Sequence, residues 1–212
     1  LPNHGRSPWT EEFHLDEQAS LVAEWLAERF DQPVALIGHS MGGNIAMRVA
    51  LHHPELVERL MVVDIAPAPN PNVVRFEELV AALKMLDLPN LPTRFQADRQ
   101  LTPLIPDPAV RGFLLQNLRR EAGEWTWTCN LTLLGDSLPE VGSWKDVDAS
   151  YDGSVFWIAG GDSNYIRPEH KEPMQRLFPK VVSATLKGAG HWVHADAPEA
   201  FTATVRHFLS QP

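Results

Sequence analysis

The chain has 212 residues, 44% hydrophobic and 21% charged, the balance of an ordinary globular protein with room for one substantial core. A formal net charge of −9 argues against nucleic acid as a partner, and no run approaches the roughly 20 apolar residues of a membrane span. The single cysteine, Cys129, cannot form an intrachain disulfide; flanked by Trp127 and Leu131 it reads as a packed thiol, suited to a reducing, cytoplasmic compartment.

The opening stretch LPNHGRSPW lacks an initiator Met and has neither the basic start nor the apolar centre of a signal peptide; it reads as a loop leaving a strand. LDEQASLVAEWLAERF, residues 15–30, places Leu15, Ala19, Val22, Leu26 and Phe30 on one face of a helix. After Pro33, Val34 to Ile37 form a short apolar run that predicts a strand buried on both faces. Beyond the small-residue stretch GHSMGG, the residues Ile45, Ala46, Val49 and Ala50 recur at helical spacing until Pro54. ERLMVVDIAP predicts a second buried strand, Leu60 to Ile65, stopped by Pro67. SVFWIAGGD and VVSATLKGAGH predict a third and a fourth, the last leading to His191. The final helix takes Asp196 as N-cap with Glu199 three residues on, and turns Phe201, Val205 and Phe208 inward.

Strands alternating with helices predict an α/β fold whose parallel sheet is covered on both faces. Between the second and third strands lies an insertion far longer than a usual connection. It carries two helical patterns, VVRFEELVAALKML and DPAVRGFLLQNLRRE, and the alternating EWTWTCNL, which reads as extended. The expected organisation is a core of residues 1–68 and 152–212 with a helical lid over residues 69–151.

Ser40 therefore stands where a strand turns into a helix. Gly38 and Gly42 give the spacing G-x-S-x-G, in which small neighbours let the turn tighten and lift the hydroxyl clear of the sheet. The N–H of Met41, at the start of the new helix, is aimed at a point suited to an oxyanion. A serine needs a base, and His191 follows the fourth strand through a loop of small residues, which brings it to the same end of the sheet. His194 reads as a packing residue and His39 as part of the turn with its ring aimed away from Ser40, while His52 and His53 finish a helix. These histidines lack Cys or carboxylate partners at metal-ligand spacing. For the acid, Asp64 ends the second strand and Asp162 the third, both at carboxyl ends where parallel sheets build their sites. The order Ser, Asp, His admits either, and the commoner arrangement of this architecture would choose Asp162.

NHGRSP, GHSMGG, VVDIAP, GGDSNYIRPEH, RLFPK and GAGHWVHADAP, in that order from residue 3 to the C-terminus, resemble the YbfF-like and ABHD11-like esterases of the α/β-hydrolase fold. The resemblance implies a triad of Ser40, His191 and Asp64, with Asp162 as the alternative acid. It further implies hydrolysis of short acyl esters, or of thioesters, on a small-molecule substrate with no metal or cofactor. Phe76, Leu83, Phe113, Trp125 and Trp127 are candidates for an acyl pocket in the lid. The family's upstream strands and its HG oxyanion loop have no match here. The chain is thus expected to be an N-terminally incomplete form with its serine strand at an open edge, whose full activity needs the missing segment and its second oxyanion donor. A peptidase, haloperoxidase or lyase on the same scaffold stays open, as does a weakly active or inactive ligand-binding or interaction protein that keeps the triad. A dehalogenase is disfavoured, because it would carry Asp where Ser40 stands.

Overall fold

The computed structural model describes residues 1–210, which divide into two compact units. One comprises Leu15–Asn70 and the chain from Ser143 onward; the other comprises Leu1–His14 and Pro71–Gly142. Among the described residues, no helix is long and apolar enough to cross a membrane.

The first unit begins with helix α1 (Leu15–Arg29), which buries Leu15, Ala19, Ala23 and Leu26. Val22 is only half-buried, and Phe30, expected on the same face, lies one residue past the helix end and is 47% exposed, edge-on to Trp25. Strand β1 (Val34–His39) leads through Ser40 into α2 (Met41–His52). The buried Arg48 of α2 pairs with Asp16 and sets its guanidinium 4.8 Å from the Trp144 ring, so its charge is not left bare in the interior. Strand β2 (Val57–Val63) is buried except for Glu58, as its apolar run predicts. It ends two residues earlier than expected, because Asp64 turns into the left-handed region with φ 48°.

The second unit holds α3 (Val73–Lys84), α4 (Arg94–Leu101), α5 (Pro108–Leu114), the antiparallel strands β3 (Leu118–Glu121) and β4 (Glu124–Trp127), α6 (Leu131–Asp136) and α7 (Leu138–Val141). Thr93, Asp107 and Asn130 cap three of these helices by accepting main-chain N–H groups. The expectation of a helix through residue 121 is corrected. The helix stops at Leu114, and Leu118 enters a hairpin turned by Ala122 and Gly123, both at positive φ. Arg111 is buried as a strut, donating to Asp98 at 2.8 Å and to the carbonyls of Ile105 and Pro106 at 2.8 and 2.9 Å. Of the pocket candidates, Leu83 belongs to this unit's buried core and Phe113 is exposed, while Phe76, Trp125 and Trp127 are half-buried. Cys129 is a buried free thiol.

Back in the first unit, β5 (Ser154–Gly160), α8 (Lys171–Leu177), β6 (Val181–Leu186), α9 (Val193–Asp196) and α10 (Pro198–Ser210) complete the order. The sheet runs β1-β2-β5-β6, parallel throughout. As an edge strand β1 is only partly buried, Ile37 being 39% exposed, which corrects the expectation of burial on both faces. Asp196 does not cap the last helix. Pro198 fits only its first turn, which leaves Ala197 ahead of it, and the Asp196 carboxylate instead accepts the Gly190 N–H at 2.8 Å. Phe208 joins Met61, Val63, Ile158, Ala189 and Val193 in a buried cluster, with Phe201 and Val205 packed at its margin.

The register decides where the chemistry falls. His39 pairs with Val63, and Val63 with Ile158. The ladder then continues one residue further, with Ser40 N–H bonded to the Val63 carbonyl at 3.1 Å and Asp64 N–H to that of Ile158 at 2.8 Å. Ser40, Asp64 and Gly160 thus emerge side by side at the carboxyl ends of three neighbouring strands.

Candidate active site

Ser40 has φ 53° and ψ −124°, a conformation that side-chain-bearing residues avoid and that persists only where surroundings enforce it. The enforcement comes from close packing beneath the turn. A Cβ on Gly38 would stand 2.3 Å from the Gly42 carbonyl oxygen and 2.8 Å from the Ala46 Cβ. The second crowded position is Gly43, where a Cβ would meet the Ile65 side chain at 2.5 Å. Gly42 has nothing within 4 Å of its virtual Cβ, so the room attributed to it belongs to Gly43. The Met41 N–H opens α2 and, like all first-turn amides, has no acceptor within its own helix.

His191 sits in the loop after β6, 11% exposed at its side chain. Its Nδ1 lies 2.9 Å from Asp64 Oδ2 and its Nε2 2.9 Å from Ser40 Oγ. A carboxylate can only accept, so Nδ1 carries the proton and Nε2 is left to accept from the serine hydroxyl. Asp64 is fully buried and accepts two further bonds: Gly160 N–H donates to Oδ1 at 2.9 Å and Ser163 Oγ–H to Oδ2 at 2.5 Å. Asp162 is exposed; it supports the same loop through its main chain, donating its N–H to the Ala189 carbonyl at 2.9 Å. The structure therefore brings Ser40, His191 and Asp64 together and leaves the Asp162 carboxylate outside.

The His39 ring packs against His191, with ring centroids 4.8 Å apart. Its Nε2–H donates to the His191 carbonyl at 2.8 Å, tying the end of β1 to the loop of His191. Burial pushes His39 down to about 4, with the bond to the His191 carbonyl acting in the opposite sense. His194 lies edge-on to His39 at 5.2 Å and to Phe201 at 6.1 Å, a packing role. Sequence reasoning missed Ser163 and Tyr165, whose ring stacks on His191; both lie within three residues after Asp162 in a loop whose facing no spacing rule reads. Among the described residues, no group of three or more His, Cys, Asp or Glu side chains is placed to hold a metal.

Comparison with known proteins agrees with this architecture. The Alpha/beta hydrolase family matches residues 1–204. The chain is 35% identical over 212 residues to the sn-1-specific diacylglycerol lipase ABHD11 of Mus musculus, spanning 98% of this chain and 69% of that one. It is 30% identical to the esterase YbfF of Escherichia coli (strain K12), over 99% of this chain and 80% of the relative. A solved marine microorganism esterase superposes with a TM-score of 0.94 at 32% identity, covering 98% of this chain and 82% of that chain. The chain belongs to the α/β hydrolase family, among relatives named as esterases and lipases.

Proposed function

We propose that the protein is a serine carboxylesterase that works through an acyl-enzyme. The carrying observation is the unbroken hydrogen-bonded line from Ser40 Oγ through the His191 ring to the buried Asp64 carboxylate. In the first half-reaction, His191 Nε2 takes the Ser40 proton as Oγ attacks the ester carbonyl. The oxyanion forms against the Met41 N–H, and one such donor is worth about 10²–10³ in rate. The imidazolium is held by Asp64, then gives its proton to the departing alkoxide, leaving the acyl group on Oγ. Water repeats the sequence: His191 removes its proton, the hydroxyl attacks the acyl carbonyl, and the proton returns to Ser40 as the acid leaves. Every proton lost by one group is gained by another, so the chain's own residues balance both half-reactions.

The substrate class we favour is a short acyl ester, with thioesters as a second leaving-group chemistry. The mouse relative's name adds a diacylglycerol to the panel worth assaying. We read residues 69–151 as a lid, on the ground that this insertion departs from the chain shortly after Asp64, at the end of the sheet where Asp64 meets His191. A cytoplasmic setting fits the single free thiol.

The test is multiple-turnover hydrolysis of 4-nitrophenyl acetate, butyrate and octanoate, an acyl thioester and a diacylglycerol, beside Ser40→Ala. Sustained turnover on the shorter acyl chains that disappears in the variant supports the reading. Stoichiometric release that stops after one equivalent would instead make this a binding protein that keeps a reactive serine.

A further inference from the structure

His191 uses both edge nitrogens, one on Ser40 and one on Asp64, which leaves the two faces of the ring to hold its plane. One face is covered. The Tyr165 ring lies on it with centroids 3.7 Å apart and planes within 14°, and Tyr165 is itself 9% exposed. The Tyr165 N–H reaches Ser163 Oγ at 3.3 Å, and the Ser163 hydroxyl donates to Asp64 Oδ2. One short turn after β5 thus sets both the acid and the ring that lies against the base.

We propose that Tyr165 is a positioning residue for His191. A base that serves Ser40 Oγ and then the leaving group must swing within its plane by a fraction of an ångström while keeping Nδ1 on Asp64. A ring stacked flat on one face permits that in-plane swing and blocks rotation about the Cβ–Cγ bond, which would sweep the imidazole through the space of the tyrosine. It also keeps water off that face and lays an aromatic π-cloud beside the ring when it carries the extra proton. The stack is made by the aromatic ring, so phenylalanine should serve in its place. This inference rests on the esterase reading above.

The experiment compares Tyr165→Phe and Tyr165→Leu with the unsubstituted protein in ester turnover and in the rate of inactivation by a fluorophosphonate. Tyr165→Phe should stay within about threefold in both. Tyr165→Leu should lose roughly 10- to 100-fold in kcat and in inactivation rate with KM within about threefold, the scale expected when a catalytic group is misplaced by about an ångström. Loss confined to KM, or equal loss in the Phe variant, would overturn the proposal. Should Tyr165→Leu fail to fold, the NMR signal of the His191 Cε1–H decides. The stacked ring must displace it upfield in the unsubstituted protein and in Tyr165→Phe, and an undisplaced signal would refute the stack. If the unsubstituted protein neither turns over esters nor reacts with the fluorophosphonate, it is the esterase reading that falls.

Discussion

His39 donates its Nε2–H to the backbone carbonyl of His191, so the residue beside Ser40 ties down the loop that carries His191. Burial lowers His39 from its ordinary value of 6.5 to about 4. In the unfolded chain it takes up a proton near 6.5, so between the two values the unfolded state binds more protons than the native one. This contribution to stability is whole above about 6.5 and is lost as pH falls through 4. Urea midpoints followed from pH 7.5 down to pH 4.5 should therefore decline. His39→Gln, which keeps a donor and cannot titrate, should flatten part of the slope. His170, also lowered by burial, contributes in the same direction.

Asp64 and Asp162 make opposite predictions. Asp64→Asn suits the φ of 48° and should fold, yet it cannot hold the imidazolium or enforce the tautomer, so kcat should fall by about 10³–10⁴. Asp162→Asn leaves the main-chain bond to Ala189 in place and should change kcat less than about threefold. Steady-state kinetics on one ester, with circular dichroism to confirm the fold, compare the two.

The glycines of the turn are likewise separable. Gly38→Ala drives a methyl into the Gly42 carbonyl and should lower stability by about 1–3 kcal/mol or more. Gly42→Ala meets nothing and should leave the thermal midpoint nearly unchanged. Differential scanning calorimetry of both variants gives the comparison.

Burial raises Cys129 above its ordinary value, and the thiol is only 9% exposed. Few thiolates and little access both slow alkylation. Iodoacetamide should label it far more slowly in the native protein than in urea, as read by mass.

The strands were legible because β2 and β5 are continuous apolar runs bounded by turn residues, and Ser40 because an apolar strand run precedes it and a helical pattern follows. The choice of acid was not legible from spacing, since Asp64 and Asp162 both end strands. Only the structure separates them by position: Asp64, in a left-handed turn, bonds the His191 ring, while Asp162 is exposed. Phe30 misled because helical periodicity carries no information on where a helix stops. Leu118 to Glu121 misled because a helical pattern of side chains also fits a hairpin once Ala122 and Gly123 turn the chain. Ser163 and Tyr165 were invisible because their roles depend on the facing of a turn rather than on any periodic signal.

The most direct measurement is labelling with a fluorophosphonate, read by intact mass, on the unsubstituted chain and on Ser40→Ala. One adduct on the unsubstituted chain and none on the variant is the predicted result, since only an oxygen activated by His191 attacks phosphorus at a useful rate. A folded chain that takes up no adduct, or a Ser40→Ala variant that labels as well, would contradict the account.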